Sequence, residues 1–158
     1  MGTNINSELS GGLAETPLSA AMIVADINKP GFDGAVTYSQ TTNETTADQT
    51  GGWDVRVYAA GIRSGFGAVQ HTNGHLYATD NGPNRFYGDA SETCTAVKES
   101  GTHGDKLLLV REGAYYGHAN RNRARTDARQ CRLHWPGAPG SDTYTPPLLS
   151  FASGSYNG

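Results

Sequence analysis

Gly67-Ala68-Val69-Gln70-His71-Thr72-Asn73-Gly74-His75-Leu76-Tyr77-Ala78-Thr79 is the stretch that decides the fold. Two strand-like runs flank Thr72-Asn73-Gly74, and Asn-Gly between such runs is the strongest short-range signal of a β-hairpin, because both residues tolerate positive φ. Working outward, residues 54–58 alternate polar and apolar, the period-2 mark of a half-buried strand. The apolar run at residues 19–27 closes on Asn28-Lys29-Pro30-Gly31 and reads as a buried strand followed by a turn. Residues 35–39 suit a second strand, and Lys106-Leu107-Leu108-Leu109-Val110-Arg111 another buried one. Residues 40–53 are too poor in hydrophobic side chains to read as anything but a polar surface loop. No twelve-residue window keeps a helical period.

Composition agrees with this reading. The chain has 158 residues, one domain's worth, and its 21 Gly and 7 Pro favour turns and short strands over helices. Charged residues make up only 17%, which excludes a disordered polyelectrolyte. The formal net charge of −3 argues against a dedicated nucleic-acid binder. No apolar run approaches the length of a membrane-spanning helix. The expected fold is all-β. Short strands joined by long loops suit a β-propeller, whose blades of about 40–50 residues carry function on the loops of one face. Residues 1–158 hold about three such blades, fewer than the four or more that close a ring. The expectation is therefore a partial propeller domain, a piece of a larger ring. The first residues, Met1-Gly2-Thr3-Asn4, show no secretory leader, which carries little weight for a piece of a chain.

Cys94 and Cys131 are the whole thiol inventory. Two cysteines cannot complete a four-ligand zinc site, and no C-x-x-C pair is present. Both have polar, loop-like neighbours, so a disulfide between them is expected, and with it a secreted, periplasmic or extracellular location. His71 and His75 have metal-like spacing, but the turn between them and the lack of a third ligand argue for a structural role. Arg121, Arg123, Arg125, Arg129 and Arg132 crowd twelve residues. Asp127 interrupts them and no aromatic platform accompanies them, so a solvated loop is expected.

Three linked segments carry a resemblance. Tyr58-Ala59-Ala60-Gly61-Ile62-Arg63-Ser64-Gly65-Phe66-Gly67, Gly74-His75-Leu76-Tyr77-Ala78-Thr79-Asp80-Asn81-Gly82-Pro83-Asn84, and Lys106 through Ala114-Tyr115-Tyr116-Gly117-His118 occur in order. Together they resemble the soluble quinoprotein glucose dehydrogenases and sorbosone dehydrogenases, over about residues 18–120. A longer insert lies at about residues 85–104, and the Arg-rich, Pro/Gly-rich region 121–158 falls outside the likeness. The resemblance implies a six-bladed propeller that binds pyrroloquinoline quinone and calcium and oxidises a sugar or aldose hydroxyl, passing electrons to an external acceptor. Arg63 matches the family's cofactor-facing arginine, which suits an anionic quinone because guanidinium forks onto carboxylates. Ser64 stands where the family has Asn. Gly82 and Pro83 match the pair whose carbonyls hold calcium, a hard cation that takes oxygen ligands. The family's second calcium run is replaced here by Arg85-Phe86-Tyr87-Gly88-Asp89, so no second site is expected. The family's catalytic His belongs to an earlier blade, upstream of Met1, and no His in this chain matches it. His118 replaces the family's Trp and is expected near the site entrance. Hedgehog-interacting-type propellers share the same segments while serving as extracellular, non-enzymatic ligand traps. They are the alternative reading.

Overall fold

The computed structural model describes residues 16–36, 38–42, 46–49, 54–82, 104–120, 122–131, 134 and 144–152. Among them the fold is all-β, built of short antiparallel strands: β1 Ala21–Ala25, β2 Tyr38–Thr42, β3 Thr46–Gln49, β4 Val55–Ala60, β5 Gly65–Gln70, β6 Leu76–Asp80, β7 Lys106–Val110 and β8 Leu149–Ser150. Helical structure among the described residues is confined to two 3₁₀ turns, Arg123–Arg125 and Ala128–Cys131.

Strands β5-β6-β7-β8 form a four-stranded antiparallel meander, β1 pairs with β4, and β2 pairs with β3. The register of the meander sets its two faces. Ala68 lies opposite Ala78 and Ala78 opposite Leu108, while Leu76 faces Val110 and Asp80 faces Lys106. Paired residues share a side of the pleat, so these line one face. That face packs on the β1-β4 pair. The core is Ala59, Ile62, Ala78, Leu108, Val110 and Tyr116, edged by Met22 and Tyr58.

The hairpin expected at residues 67–79 is present, with a different turn. Gly74 donates its N–H to the His71 carbonyl and His71 donates to the His75 carbonyl, each at 2.9 Å. Only Gly74, at φ 83°, has positive φ, whereas Asn73 does not. Asn73 works through its side chain instead, accepting the His75 N–H at 3.0 Å. This is a three-residue connection closed by a left-handed glycine rather than a two-residue turn.

Three local expectations need correction. Residues 40–53 are not all loop: β2 and β3 pair from Tyr38↔Gln49 to Thr42↔Thr46. Their threonines favour extended backbone, but a polar two-stranded ribbon has no apolar alternation to reveal it. The strand expected at residues 35–39 begins only at Tyr38, since residues 32–36 are irregular. The first strand is less buried than its apolar run implied, with Ile23 at 48% exposure and Ile27 at 71% in the following turn. It also starts two residues late, because Ser19 folds back on the Thr16 carbonyl through both N–H and Oγ.

Candidate functional site

Three backbone segments cross beside the hairpin, and glycine makes the crossing possible. Gly61 has φ 78°, and a Cβ there would sit 2.6 Å from the Gly117 nitrogen. Gly117, at φ 106°, would bring a Cβ within 2.3 Å of the His134 carbonyl. Main-chain bonds tie the crossing together: Tyr116 N–H to Ala60 O at 2.8 Å, His118 N–H to Gly61 O at 3.0 Å and His134 N–H to Gly117 O at 2.7 Å. From this knot the chain runs directly into Arg63 and Ser64.

The hairpin brings its two open ends together. Asn81 donates its N–H to the Ser64 carbonyl at 3.1 Å. Arg63, only 8% exposed, donates from Nη1 to the Gly82 carbonyl at 3.0 Å and to Asn81 Oδ1 at 3.3 Å. Arg63, Ser64 and Gly82 therefore converge, while Pro83 lies outside the described residues. Ser64 makes its contacts to Asp80 and Asn81 through its main chain. Between Gly65 and Gly67 the register slips, so Phe66 is a bulge residue and stands 95% exposed. A cavity of about 550 Å³ opens here, lined by Arg63, Ser64 and Phe66 together with Ala20, Met22 and Ile62.

Behind Arg63 lies a charge pair that sequence reasoning left without a role. Asp80 Oδ2 and Lys106 Nζ are 2.9 Å apart, with side chains 0% and 5% exposed. Asp80 Oδ1 also accepts the Ser64 N–H at 2.9 Å, and Lys106 donates to the Tyr116 carbonyl at 3.2 Å. The pair thus joins the Arg63 loop, two strands and the Tyr115-Tyr116 segment. Strand parity held the signal: Asp80 continues the inward series Leu76-x-Ala78, and Lys106 begins the inward series continued by Leu108 and Val110. A second carboxylate, Asp105, accepts the Gly82 N–H at 3.0 Å.

His118 is not at an entrance. It is 1% exposed, and burial, with Arg63, Lys106 and Arg123 nearby, pushes its pKa down to about 3, so the ring is neutral. The Tyr144 hydroxyl is buried too, and desolvation beside Asp80 raises its pKa.

The arginine run is not simply a solvated loop. Arg123 donates Nη1 to the Pro17 and Ser19 carbonyls at 2.8 and 2.6 Å, Nη2 to Ala20 O at 3.2 Å, and Nε to Gln130 at 2.6 Å. Asn120 reaches the same strand entry, donating Nδ2 to Thr16 O at 3.0 Å. The Ala20 carbonyl also takes the Gly61 and Ile62 N–H groups, although Ala20 sits at φ 51°, strained for a residue with a Cβ. Arg129 is spent on Asp127 at 2.8 Å. Arg121 and Arg132 lie outside the described residues. So does Cys94, and with it the expected disulfide to Cys131. The His71 and His75 rings each contact Tyr77 edge-on, and no cluster of three or more His, Cys, Asp or Glu suited to a metal occurs among the described residues. No described helix is long and apolar enough to cross a membrane.

In comparisons with protein-family models, with curated proteins and with solved structures, the chain matches none.

Proposed function

We propose that this chain is part of a six-bladed propeller enzyme that oxidises a sugar or aldose hydroxyl with pyrroloquinoline quinone and calcium, and passes the electrons to an external acceptor. The observation that carries the reading is the meeting of Arg63 with the Gly82 turn at the edge of a cavity. An ordinary hairpin needs no buried arginine at its open end, and burying one near the Asp80–Lys106 ion pair is costly unless it serves a purpose. The β5-β8 meander packed on a second sheet suits neighbouring blades.

The residues fit the anionic half of the cofactor pair. Arg63 and Ser64 border the cavity, and a permanently charged planar donor is the side chain of choice for carboxylates. When bound, an orthoquinone supplies a hydride acceptor. This chain's part is to hold and orient it, with Asp80 and Lys106 fixing the loop that carries Arg63. The described arrangement does not fit calcium at Gly82, because the guanidinium already occupies that carbonyl. The resemblance puts the catalytic base on another blade, and buried, neutral His118 is not suited to that role.

One observation favours the alternative, an extracellular binding propeller of the hedgehog-interacting type. An arginine committed to a carbonyl is acting as a structural tether. Reconstitution separates the two. Folded full-length apoprotein, given quinone and calcium, should recover aldose oxidation with an artificial electron acceptor. Folded protein that takes up neither quinone nor calcium would leave the binding propeller as the reading.

A further inference from the structure

Asn-Gly occurs three times in the chain, at 73–74, 81–82 and 157–158, the last outside the described residues. In such a pair the chain can react with itself. The glycine nitrogen, having lost its proton, bonds to the asparagine Cγ; the Cγ–Nδ2 bond breaks and ammonia leaves. Water then opens the cyclic imide at either carbonyl, giving aspartate or, with the main chain rerouted through Cβ, isoaspartate. Glycine suits this ring because it has no Cβ to crowd the attack. The two described pairs differ in what holds them. Gly82 is buried and donates its N–H to the Asp105 carboxylate at 3.0 Å, while Asn81 donates its N–H to Ser64 O and accepts from Arg63 at Oδ1. Asn73 and Gly74 are exposed at the hairpin tip, with open space around Gly74. There Gly74 N–H donates to His71 O at 2.9 Å and Asn73 N–H to His71 Nδ1 at 3.1 Å. The Asn73 carboxamide is tied at both ends, Oδ1 accepting from His75 N–H and Nδ2 donating to the Tyr77 hydroxyl, each at 3.0 Å.

We propose that Asn73-Gly74 is a self-modification site, held latent by the His71 carbonyl and the Tyr77 hydroxyl, which converts to aspartate and isoaspartate in proportion to the time the hairpin tip spends open. While Gly74 N–H is bonded to His71, its nitrogen cannot give up the proton and turn to Cγ, and a carboxamide tied at both ends cannot rotate to meet it. The His75 N–H on Oδ1 also draws electron density from Cγ, as a donor to a developing oxyanion does, so the restraint lies in position and not in reactivity. Exposed neutral hydrogen bonds are individually weak and loop tips open at low free energy, so this latch slips. Asn81-Gly82, buried and bonded to charged groups, stays intact. Either product sets a negative charge beside the His71 and His75 rings, and isoaspartate lengthens the three-residue connection by one main-chain atom. Gly74 and His75 also line a cavity of about 520 Å³ between the two sheets, with Met22, Tyr58 and Leu76. The change therefore remodels one wall of that cavity. This chemistry uses water alone and is separate from the oxidation proposed above.

Peptide mapping by mass spectrometry tests it, on the folded chain kept dilute in mildly alkaline buffer, with the urea-unfolded chain as the reference for unrestrained reaction. Unfolded, both pairs should convert at similar rates. Folded, Asn73 should convert about tenfold or more slowly than when unfolded, two hydrogen bonds' worth of restraint, and Asn81 should remain amide while Asn73 is lost. Tyr77→Phe removes the bond to Nδ2 and keeps the ring that both histidines touch edge-on. It should speed Asn73 conversion about fivefold, the worth of one hydrogen bond, with Asn81 unchanged. An Asn73 rate that Tyr77→Phe leaves unaltered overturns the proposal, as does conversion of Asn81 ahead of Asn73 in the folded chain. So does a folded variant in which Asn73 does not convert at all. Amide hydrogen exchange on the native chain gives a check that needs no substitution: the Gly74 N–H should exchange more slowly than in urea, and exchange at the unfolded rate would mean there is no latch.

Discussion

Asp80 and Lys106 show how one position ties several parts of the site together. Removing one member of such a buried pair commonly costs about 3–5 kcal/mol, because the other charge is left without compensation. Two alternating strands make the pair's inward placement readable, but its partners are not: the Ser64 N–H and the Tyr116 carbonyl come from loops whose path no periodicity encodes. The same cluster makes stability depend on pH through His118. In the unfolded chain this ring protonates near pH 6.5, in the fold only near pH 3, owing to burial and then to Arg63, Lys106 and Arg123. Between those values the unfolded chain holds the extra proton. Stability from this group is therefore complete above pH 6.5 and is lost as pH falls, by about 1.4 kcal/mol per unit. Asp54 and Asp127, held low by hydrogen bonds from Lys29 and Arg129, act in the same direction only below their ordinary value of 3.8. Denaturant unfolding at pH 6.5, 5.5 and 4.5 should show the slope, and His118→Gln should flatten it. An equal slope in both proteins would remove His118 as its source.

Among the elements, β5, β6 and β7 were legible because an apolar pattern and a left-handed turn glycine agree on them. The ribbon β2-β3 was not, since its polar strands answer to pairing alone. The clamp formed by Arg123 was hidden for a different reason. Its targets, Pro17 to Ala20, lie more than 100 residues away in sequence, and an arginine that opens a 3₁₀ turn looks solvated until the fold closes over it. Each charge-assisted hydrogen bond is worth roughly 1.5–3 kcal/mol. Arg123→Ala should thus lower stability by roughly 2–4 kcal/mol once partial solvent access is discounted. The loss should be local first. Gly61 and Ile62 donate to the same Ala20 carbonyl, so their amides should exchange hydrogen faster in the variant while Ala78 and Leu108, deep in the meander, keep their protection. Uniform loss across all these amides would mean that the clamp supports the whole fold rather than the strand entry.

At the scale of the whole molecule, the described residues pack closely on one face of the meander. Ala78, Leu108 and Val110 are buried against the β1-β4 pair, while the opposite face carries Val69, Tyr77, Leu107, Leu109 and Leu149, with Val69 and Leu149 each 56% exposed. None of these side chains is charged. A sheet with an apolar second face is stable in water only when another layer covers it, and in a propeller the next blade does so. The proposed ring would cover that face, and its exposure has a consequence for the 158-residue chain on its own. Burying a Val or Leu side chain is worth about 1.5–3 kcal/mol, so two such faces should find each other. The chain should run larger than a monomer in light scattering, with the fraction associated rising with concentration. Val69→Lys combined with Leu149→Glu places charges on this face, away from the core and from Arg63, Asp80 and Gly82. The pair should weaken association about a hundredfold or more while leaving the β-sheet circular dichroism intact. A native chain that stays monomeric at high concentration would mean that this face is already satisfied within the chain, and the argument for a neighbouring blade would lose its footing.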